Sequence, residues 1–522
     1  MSERERDCER YRAEGWWRED LLTDVVRRWA SAQGDRVAVL DEHRRITWSQ
    51  LWAEARAAAG ALVRLGVGPG DIVSSQLPNG ADVVVLHVAV ELAGGIHNPL
   101  AVQFRAHEID QVYGLLGSRL VLHPDTWHGV DYSAVHGASK AATDGRVAAA
   151  SDVLTGTGNG GAVDRAPESS PSKASDGAYI LNTSGTVAMK GVLHSHEEAQ
   201  YSARTVAEML EMTPRDVVMC AVPMSWGAGL CWGVRFALMA GATLVSMERW
   251  DPRAAADLID AEGGTFIYGP PTMARDLVDL ADEWHPAGPL KMICAGAPIP
   301  RQMCVDARER LGLSLIPGYG QTEHLHSALG RLDDPLEKLT GSDGRALPGV
   351  LLRAVDDDGN ECAPGDPGEL ECRGPNVALG YFNQPDLTNE TFRPDGWQVT
   401  QDLGTFDADG YLRIAGRKRD IIIRGGLNVS PREVEELLLR LPDVKDAAVV
   451  GYADERYGER ICAFVVPTGK VSPTVEEITT AFDEMGVAKY KWPERIEQID
   501  ELPLTTTGKV RHQALRERLR TA

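Results

Sequence analysis

Short apolar runs alternate with longer amphipathic stretches along most of the 522-residue chain, and this alternation limits the folds that it can adopt. A run of four to six apolar residues is typical of a buried strand, while apolar residues three and four positions apart are typical of a helix. Strands that alternate with helices favour an α/β architecture with a largely parallel sheet. The predicted strands are 83–88, 243–246, 265–267 and 291–294, and the predicted helices are 51–65, 254–261 and 303–311.

Length and composition exclude several classes of protein. The chain is long enough for more than one folding unit, and its 43% hydrophobic and 25% charged residues are ordinary for a globular protein. A formal net charge of −22 argues against nucleic-acid binding, which needs clustered Lys and Arg. No apolar run approaches the roughly 20 residues that cross a bilayer, and the first residues lack a secretory signal. The eight cysteines include no C-x-x-C pair, so we predict reduced thiols in a cytoplasmic protein. From the charge and the apolar runs we predict no nucleic-acid partner and no membrane partner.

A change in pattern after residue 420 indicates a second domain. Gly425 and Gly426 follow a charged cluster at 417–420, and glycines beside charged residues are typical of a hinge. We therefore predict a large domain at 1–419 and a small mobile domain at 420–522. The small domain contains predicted strands at 447–450 and 461–466 and predicted helices at 430–441 and 476–485.

One segment, 138–175, is rich in Ala, Ser, Gly and Asp and has almost no large apolar residues. This composition predicts a mobile surface excursion. Residues 156–161 within it match G-x-G-x-x-G, but no convincing strand precedes them and no helix follows, so we reject a dinucleotide site.

Five short segments carry residues suited to nucleotide chemistry. Residues 183–191, Thr-Ser-Gly-Thr-Val-Ala-Met-Lys-Gly, follow an apolar segment, and the backbone N–H groups of such a turn can bind phosphate. Residues 318–323, Gly-Tyr-Gly-Gln-Thr-Glu, combine an aromatic ring, a hydroxyl and a carboxylate, which suit a base, a phosphate and Mg²⁺. The other three segments are Asp402 after Thr400, Gly416-Arg417, and Thr-Thr-Thr-Gly-Lys at 505–509.

In this order and at these distances, the segments resemble the adenylate-forming superfamily of acyl-CoA synthetases, luciferases and peptide-synthetase adenylation domains. The resemblance covers nearly the whole chain, and the ordered set is far more specific than any single segment. Further matches are Gly296-Ala-Pro298, 341–345, 368–370, Gly380-Tyr381, Gly425-Gly-Leu-Asn428 and 456–459.

The resemblance implies a fold and a two-step reaction. The fold is α/β, with two sheet-and-helix subdomains and a small β-barrel in the large region, followed by a hinged α+β domain. A carboxylate first attacks the α-phosphate of ATP to give acyl-AMP; the small domain then rotates, and the thiol of CoA displaces AMP. The implied ligands are ATP, the AMP moiety of the acyl-adenylate, Mg²⁺, CoA and a small carboxylic acid. They bind in the cleft between the domains of a monomer or homodimer.

By motif, the resemblance also implies the residues of the nucleotide site. Tyr319 is expected to stack on adenine, Thr322 to contact the α-phosphate and Asp402 to hold the ribose hydroxyls. Glu323 is expected to bind Mg²⁺. The implied AMP-binding residues are Gly296, Ala297, Pro298, Tyr319, Thr322, Asp402 and Arg417. The implied catalytic residues are Thr322, Glu323 and Lys509, of which Lys509 stabilises charge during adenylation.

The resemblance assigns the hinge and the CoA site to the second domain. Arg419 occupies the hinge position, where a charged residue is usual. Gly425 and Gly426 belong to the CoA site, and Gly426 lines the tunnel for the pantetheine arm. Tyr457 is placed where an aromatic ring stacks on the adenine of CoA.

The phosphate loop departs from the superfamily pattern Thr-Ser-Gly-Ser/Thr-Thr-Gly-x-Pro-Lys-Gly. The chain has nine residues where the pattern has ten, with Val187 for a hydroxyl, Ala188 for a glycine and no proline before Lys190. Alanine resists positive φ and crowds a close phosphate, and valine stiffens the loop. The residues still suited to phosphate are Thr183, Ser184, Gly185, Thr186 and Lys190.

Two smaller departures lie elsewhere in the predicted site. Gln401 replaces the glycine of the usual Thr-Gly-Asp and puts a long side chain beside the nucleotide. Trp226 stands where the family often has histidine.

The departures in the phosphate loop affect residues that the resemblance assigns to the outer phosphates of ATP. The residues that it assigns to AMP binding and to thioester formation are present. We therefore predict an enzyme that converts acyl-AMP and CoA into acyl-CoA and AMP, with weak or absent adenylation. A separate adenylating ligase would supply the acyl-AMP. Three alternatives stay open: a complete ATP-dependent synthetase, favoured by the presence of Glu323 and Lys509; a non-catalytic acyl-nucleotide binder; and a ligase that loads a carrier protein.

The predicted acyl pocket is lined by Ser225, Trp226, Gly227 and Gly320. A large aromatic residue among small ones indicates room for a bulky, apolar acid. The segment 224–229 has no Lys or Arg, so nothing in it favours a second negative charge on the substrate.

Overall fold

The computed structural model describes residues 3–155, 167–184, 189–297, 299–424, 427–454, 456–505 and 510–521, and of residues 184, 419, 428 and 521 it describes the backbone. Within these residues the chain forms two large sheets with helices, a small antiparallel sheet and a separate C-terminal sheet. This arrangement confirms the predicted α/β class with a large N-terminal region and a small second domain.

The first large sheet has a parallel centre and antiparallel edges. From one edge to the other its strands are Arg345–Ala346, Leu325–Leu329, Leu313–Gln321, Leu290–Ala295, Phe266–Gly269, Val217–Cys220, Thr243–Ser246, Val37–Leu40 and Arg45–Thr47. The six strands from Leu313–Gln321 to Val37–Leu40 run parallel to one another, as predicted. The predicted strands 243–246, 265–267 and 291–294 all lie in this sheet.

The second large sheet carries the predicted phosphate loop. Its strands, in order, are Gly380–Tyr381, Met189–Ser195, Gly177–Ser184, Ile96–Pro99, Ile72–Ser75, Leu120–His123 and Val147–Ala149. Met189–Ser195 pairs antiparallel with both of its neighbours, while the remaining pairs are parallel. A two-stranded hairpin, Thr126–Trp127 and Val130–Asp131, stands apart.

Helices cover and separate the two sheets. In the N-terminal part they are Glu3–Ala13, Leu22–Gln33, Trp48–Arg64, Ala81–Leu92, Ala106–Leu116, Tyr132–Gly137, Lys140–Thr143, Ala150–Leu154 and His196–Met209. The next group is Gly227–Gly229, the π-helix Leu230–Arg235, Phe236–Ala240, Pro252–Glu262, Pro271–Asp279, Arg301–Leu311, Leu336–Gly341 and Pro385–Thr391. The predicted helices 51–65, 254–261 and 303–311 are confirmed within one to three residues. No helix in the described ranges is both long and apolar enough to cross a membrane.

The prediction of a strand at 83–88 is wrong, because these residues form part of the helix Ala81–Leu92. All but one of its twelve residues are buried, among them His87 and Glu91. A helix that is buried on every side has no polar face, so its sequence lacks helical periodicity and resembles a buried strand.

The prediction of a surface excursion at 138–175 is wrong for its first part. Lys140–Thr143 and Ala150–Leu154 are helices, and Val147–Ala149 pairs with the strand Leu120–His123. The side chains of Ala141, Ala150 and Val153 are buried, so small residues supply the packing that the composition argued against. Residues 156–166 lie outside the described part of the chain.

Two antiparallel sheets follow. The first, in the predicted position of the small barrel, consists of Leu351–Val355, Gly368–Arg373, Gln398–Phe406 and Leu412–Arg417. The C-terminal sheet consists of Ile422–Arg424, Leu427–Val429, Val444–Asp454, Gly458–Pro467 and Arg495–Gln498, and all its pairs are antiparallel except that of the last two strands. Its helices are Pro431–Leu438, Val475–Glu484 and His512–Thr521, with short 3₁₀ turns at Lys418–Asp420 and Lys489–Lys491. The strands and helices predicted in this part are confirmed, while the domain boundary after 419 stays a prediction.

Ion pairs and a hydrogen bond join Pro431–Leu438, the first helix of the C-terminal part, and the residue before it to the preceding sheets. The buried Arg432 side chain approaches Asp343 with an N–O distance of 3.2 Å. Glu436 of the same helix pairs with Arg413, and the Ser430 hydroxyl donates a hydrogen bond to the Ala415 carbonyl. These contacts lie beside the predicted hinge.

A buried ion pair joins the helix Ala81–Leu92 to the π-helix Leu230–Arg235. Glu91 pairs with Arg235, and both side chains are fully buried. Burial alone would raise the pKa of Glu91, but Arg235, together with His196 and His87, lowers it below the usual carboxylate range. Since this pKa is lower than in an unfolded chain, the pair stabilises the fold at neutral pH and loses that contribution as the solution becomes acidic.

We expect the Glu91→Gln variant to lose about 3–5 kcal/mol of unfolding free energy, because Arg235 would remain buried without a counter-charge. The measurement is the midpoint of urea unfolding at pH 7. Glu283→Gln is the control, since Glu283 pairs with Arg253 on the exposed surface and should leave the midpoint unchanged. Equal midpoints for the two variants would contradict the prediction.

Candidate active site

The strands Gly177–Ser184 and Met189–Ser195 form an antiparallel hairpin around the predicted phosphate loop. Ser184 pairs with Met189, and Thr183 pairs with Lys190. Only four residues, 185–188, therefore connect the two paired strands. This connection contains Val187 and Ala188, two of the residues that depart from the superfamily pattern.

Lys190 and Glu323 of the predicted site both contact Tyr381. The Lys190 ammonium lies 4.9 Å from the centroid of the Tyr381 ring. The Tyr381 hydroxyl donates a hydrogen bond of 2.8 Å to Glu323 Oε1. Burial, followed by the negative charge of Glu323, raises the pKa of Tyr381. This side chain therefore keeps its proton and fixes the orientation of the carboxylate.

The geometry of Glu323 fits a role in holding Mg²⁺. Only one of its oxygens accepts the Tyr381 hydroxyl, which leaves the other available. The described ranges contain no group of three or more acidic, His or Cys side chains that could hold a metal. Mg²⁺ commonly uses one or two carboxylates together with substrate phosphates and water, so a single carboxylate suffices.

His194 positions the backbone of Thr322. Its Nε2 atom donates a hydrogen bond of 2.8 Å to the Thr322 carbonyl oxygen, and its ring is fully buried beside Tyr179. Burial lowers the pKa of His194 to about 4, although the Thr322 carbonyl opposes this effect. The ring is therefore neutral at pH 7, and the contact with a carbonyl requires the proton on Nε2.

Asp402 contacts three side chains, those of Tyr319, Gln321 and Arg417. Its Oδ2 atom accepts hydrogen bonds from the Tyr319 hydroxyl at 2.9 Å and from Gln321 Nε2 at 2.6 Å. Its Oδ1 atom lies 3.3 Å from Arg417 Nε, across a pair of neighbouring strands. A carboxylate offers about four acceptor positions, so Oδ1 can still accept a ribose hydroxyl. The structure thus brings Tyr319, Asp402 and Arg417 together as the motifs predict.

Gln401, next to this carboxylate, has an unusual backbone conformation. Its φ is +60° and its side chain is exposed. The resemblance predicts glycine here, and a left-handed conformation is one that glycine adopts without strain. The backbone at Gln401 therefore has a conformation that glycine would adopt without strain.

The segment predicted to line the acyl pocket is held by Asn79. The Asn79 amide donates to the carbonyls of Val222 and Met247 and accepts from the Met224 N–H. Ser225, Trp226 and Gly227 follow directly and are half-buried.

Close backbone packing explains part of the small-residue pattern in the predicted acyl pocket. A Cβ on Gly320 would overlap the Leu325 carbonyl, and one on Gly229 would lie within 2.7 Å of the Pro223 and Met224 backbone. A Cβ on Gly227 would lie 3.2 Å from Leu181, so this residue is next to the phosphate-loop strand.

An aromatic cluster lies beside Gly318; Tyr268 and His326 come from the first large sheet, and Trp232 comes from the π-helix Leu230–Arg235. The rings of Trp232 and His326 are 4.3 Å apart, and Tyr268 lies 6.2 Å from Trp232 and 5.8 Å from His326. Burial lowers the pKa of His326 to about 4, with the Tyr319 carbonyl opposing the effect. This cluster is therefore uncharged at neutral pH.

In the C-terminal sheet, Tyr457 lies next to the hairpin that carries the predicted pantetheine site. Arg424, the last described residue before the glycine pair, pairs with Gly458. The Glu459 carboxylate accepts the Ile423 N–H at 2.8 Å, which fixes the two segments to each other.

Several predicted site residues lie outside the described part of the chain. They are Gly185, Thr186, Pro298, Gly425, Gly426 and Lys509, together with the side chains of Ser184 and Arg419. Gly296 and Ala297 are described: they follow the strand Leu290–Ala295, and Gly296 has a φ of +89°. The roles of all these residues stay predictions.

Sequence reasoning gave no role to Tyr381, His194 or Gln321. Tyr381 belongs to a matched motif, but its role depends on a contact with Glu323, which is 58 positions away in the sequence, so no local pattern indicates it. A signal for His194 was present, because it alternates with Val192 on the buried side of a strand, where a polar residue needs a partner.

Comparison with known proteins identifies the family. The family model described as AMP-binding enzyme matches residues 26–382, and the model described as AMP-binding enzyme C-terminal domain matches residues 433–509. The medium-chain fatty-acid–CoA ligase of Escherichia coli K12 is 33% identical over 97% of this chain and 92% of its own.

Solved structures agree over almost the whole length. ATP-bound MatB from Rhodopseudomonas palustris has a TM-score of 0.85 at 28% identity and covers 95% of this chain and 98% of its own. The o-succinylbenzoate CoA synthetase of Bacillus subtilis, in complex with its acyl-adenylate intermediate, has a TM-score of 0.84 at 27% identity, with coverages of 97% and 99%. The ligands named for these structures agree with the expected nucleotide and acyl-adenylate.

We expect Gln401→Gly to raise the unfolding free energy by up to about 1 kcal/mol, because glycine removes the cost of the left-handed backbone. The measurement is the thermal or urea midpoint. Gln401→Ala is the control, since alanine keeps that cost and should bring no gain. A gain of the same size with alanine would show that the side chain, not the backbone, is responsible.

We expect Tyr381→Phe to weaken Mn²⁺ binding in the presence of ATP by about tenfold, because residues that orient a metal ligand contribute on this scale. Electron paramagnetic resonance of free Mn²⁺ measures the affinity. Tyr411→Phe is the matched control, because the Tyr411 hydroxyl binds the carboxylate of Asp334 away from the site. Unchanged Mn²⁺ affinity in Tyr381→Phe would refute the positioning role.

Proposed function

Because the chain belongs to the AMP-binding enzyme family, within the adenylate-forming superfamily of acyl-CoA ligases, we propose that it transfers an acyl group from acyl-AMP to CoA. The thiol sulfur attacks the carbonyl carbon of the mixed anhydride, and the bond from that carbon to the phosphate oxygen breaks. The products are acyl-CoA and AMP, and the thiol proton is released. Formation of acyl-AMP from ATP is weak or absent in this proposal.

The short connection between Ser184 and Met189 carries the proposal. Four residues join the paired strands, and two of these are Val187 and Ala188, where the superfamily pattern has a hydroxyl residue and a glycine. Fewer N–H groups and hydroxyls are then available to the β- and γ-phosphates. The pyrophosphate leaving group of adenylation would lose the most stabilisation, while acyl-AMP has no outer phosphates to bind.

The contacts around Asp402 support the retention of AMP binding. Tyr319, Gln321 and Arg417 hold this carboxylate in place from three sides. His194 fixes the carbonyl of Thr322, which keeps that residue at the end of the strand Leu313–Gln321. An enzyme that only receives acyl-AMP needs these residues and does not need an extended phosphate loop.

A complete ATP-dependent acyl-CoA synthetase is the second candidate. The observation that favours it is the contact chain Lys190–Tyr381–Glu323, which orients two groups useful mainly for adenylation. When bound, Mg²⁺ would neutralise phosphate charge at Glu323. The two candidates differ in one measurable step, the release of pyrophosphate.

We further propose a bulky, apolar carboxylic acid as the acyl group. The support is the half-buried Trp226 and the uncharged cluster Trp232, Tyr268 and His326 on the neighbouring strands and helix. The close packing of Gly229 and Gly320 argues that these two glycines serve the backbone and not the size of the pocket. A separate adenylating ligase as the source of acyl-AMP is also part of the proposal.

The deciding experiment compares two reaction mixtures with benzoate, 2-naphthoate and decanoate as probe acids. One contains the acid, Mg-ATP and CoA; the other contains the synthetic acyl-AMP and CoA. We expect acyl-CoA from acyl-AMP at a rate at least about tenfold above that from ATP, with little pyrophosphate released. Pyrophosphate release as fast as thioester formation would end the proposal and leave the complete synthetase. Binding of acyl-AMP without turnover would instead indicate a non-catalytic binder.

Restoring the ten-residue loop should improve adenylation. The variant carries Val187→Thr, Ala188→Gly and a proline inserted before Lys190, which recreates the superfamily pattern. We expect pyrophosphate release to rise at least about tenfold, because the added groups can contact the leaving pyrophosphate, while transfer from acyl-AMP stays within about twofold. Val187→Thr with Ala188→Gly but without the insertion is the control that separates composition from length. No gain with either variant would count against the loop as the cause.

A further inference from the structure

Two buried polar side chains beside the predicted acyl pocket lack hydrogen-bond partners in the described part of the chain. His326 is 2% exposed, and neither of its ring nitrogens makes a hydrogen bond of normal geometry to a described residue. Tyr268 is 8% exposed, and its hydroxyl makes no hydrogen bond there either. Burial of a polar group without a partner is unfavourable, so each of these groups requires an explanation.

His326 lies against the strand that carries the predicted nucleotide residues. It pairs with Gly320, which the resemblance assigns to the acyl pocket. A Cβ on Gly318 would lie 2.8 Å from His326 Cε1, so the glycine leaves space for the ring. Between the two glycines, Tyr319 donates a hydrogen bond to Asp402. One short segment thus contacts the nucleotide carboxylate through Tyr319 and the His326 ring through Gly318.

Two aromatic rings flank His326. The ring centroids of Trp232 and Tyr268 lie 4.3 and 5.8 Å from that of His326. Trp232 belongs to the π-helix Leu230–Arg235, which begins directly after the helix Gly227–Gly229 of the predicted acyl segment. π-Helical turns are frequent at functional sites. The unpartnered groups of His326 and Tyr268 therefore lie within an aromatic wall at the acyl side of the site.

The two side chains favour an uncharged group on the ligand. Burial lowers the pKa of His326 to about 4, with the Tyr319 carbonyl opposing the effect, so the ring is neutral at pH 7. Burial raises the pKa of Tyr268, so its hydroxyl keeps the proton. A neutral imidazole has one N–H and one acceptor nitrogen, and a tyrosine hydroxyl both donates and accepts. These side chains offer no charge to a carboxylate or an ammonium group, whereas a hydroxyl matches both of them.

We propose that His326 and Tyr268 bind a hydroxyl group of the acyl moiety, so that the substrate is a bulky, mainly apolar acid with one hydroxyl on its hydrocarbon part. The inference rests on the proposed binding of acyl-AMP and narrows the class of acid. A site built to hydrogen-bond a substrate hydroxyl rejects the analogue that lacks it, because the protein groups are then left without partners. His326 and Tyr268 are thus the specificity-determining residues.

An ordered water molecule is the alternative occupant, because buried water commonly bonds to such polar groups. A ligand hydroxyl that displaces this water replaces its hydrogen bonds. A methyl group of similar size displaces the water and replaces none of them, which lowers the affinity. Hydroxyl and methyl analogues of one acid therefore separate recognition of a hydroxyl from simple filling of space.

The test measures the binding of acyl sulfamoyl adenosines, which are stable analogues of acyl-AMP, to the full chain by isothermal titration calorimetry. The acyl groups are benzoyl, 2-naphthoyl and decanoyl, each with hydrogen, hydroxyl or methyl at the position farthest from the carbonyl. We expect the hydroxyl analogue of at least one acyl group to bind at least about tenfold more tightly than its methyl analogue.

Two variants assign this preference to the proposed residues. Tyr268→Phe removes only a hydroxyl, and His326→Leu removes both ring nitrogens. Each should weaken binding of the preferred hydroxyl analogue by about tenfold and leave the methyl analogue within about twofold. Binding of AMP at the wild-type affinity shows that the variants are folded. Tyr113→Phe is the matched control, because the Tyr113 hydroxyl contacts Asp144 on the exposed surface, and it should bind every analogue like the wild-type protein.

The proposal is overturned if hydroxyl and methyl analogues bind alike for all three acyl groups, or if Tyr268→Phe and His326→Leu both keep the wild-type preference. Failure of every analogue to bind would instead refute the acyl-adenylate site of the proposed function, on which the inference rests. Because no turnover is measured, the result does not depend on whether the chain adenylates its acid.

Discussion

The antiparallel pairing of the strands Gly177–Ser184 and Met189–Ser195 is the contact on which the arrangement of the site depends. Its register sets the length of the loop between them and places Lys190 opposite Thr183. The second strand also pairs with Gly380–Tyr381, which brings the Tyr381 ring under Lys190 and its hydroxyl onto Glu323. A shift of one residue would turn Lys190 and His194 to the opposite faces of the sheet and break both connections.

This register has different consequences for the two halves of the family reaction. The connection between the two strands contains Val187 and Ala188, which depart from the superfamily pattern, whereas the contacts that orient Asp402 come from other strands. His194, which orients Thr322, lies on the second strand of the hairpin, beyond this connection. The proposed loss of adenylation would therefore leave the contacts around Asp402 in place. The Lys190–Tyr381–Glu323 contacts are nevertheless present, and they are the reason why a complete synthetase is the second candidate.

The C-terminal domain adds a second, independent set of groups. Its contacts with the N-terminal region include the ion pairs of Arg432 with Asp343 and of Glu436 with Arg413, beside the predicted hinge. Ion pairs at an interface can be exchanged for others at modest cost, which is compatible with the predicted rotation of the small domain. The turn that contains Tyr457 is fixed to the hairpin of the predicted pantetheine site by the pairing of Arg424 with Gly458 and by the hydrogen bond from the Ile423 N–H to Glu459.

The sequence by itself determined the family, the α/β class and the identity of Tyr319, Asp402 and Arg417 as a group, because these depend on ordered motifs and on periodicity. Nearly all the strands and helices that it predicted are present, but it misread the helix Ala81–Leu92, whose burial on all sides removes the periodic signal, and the small-residue packing around Ala141 and Val153. Only the tertiary structure decided that His194 holds Thr322 and that Tyr381 joins Lys190 to Glu323. These contacts join residues on different strands and turns, and their partners are selected by strand register and by which carboxylates are already engaged, neither of which is encoded in local sequence.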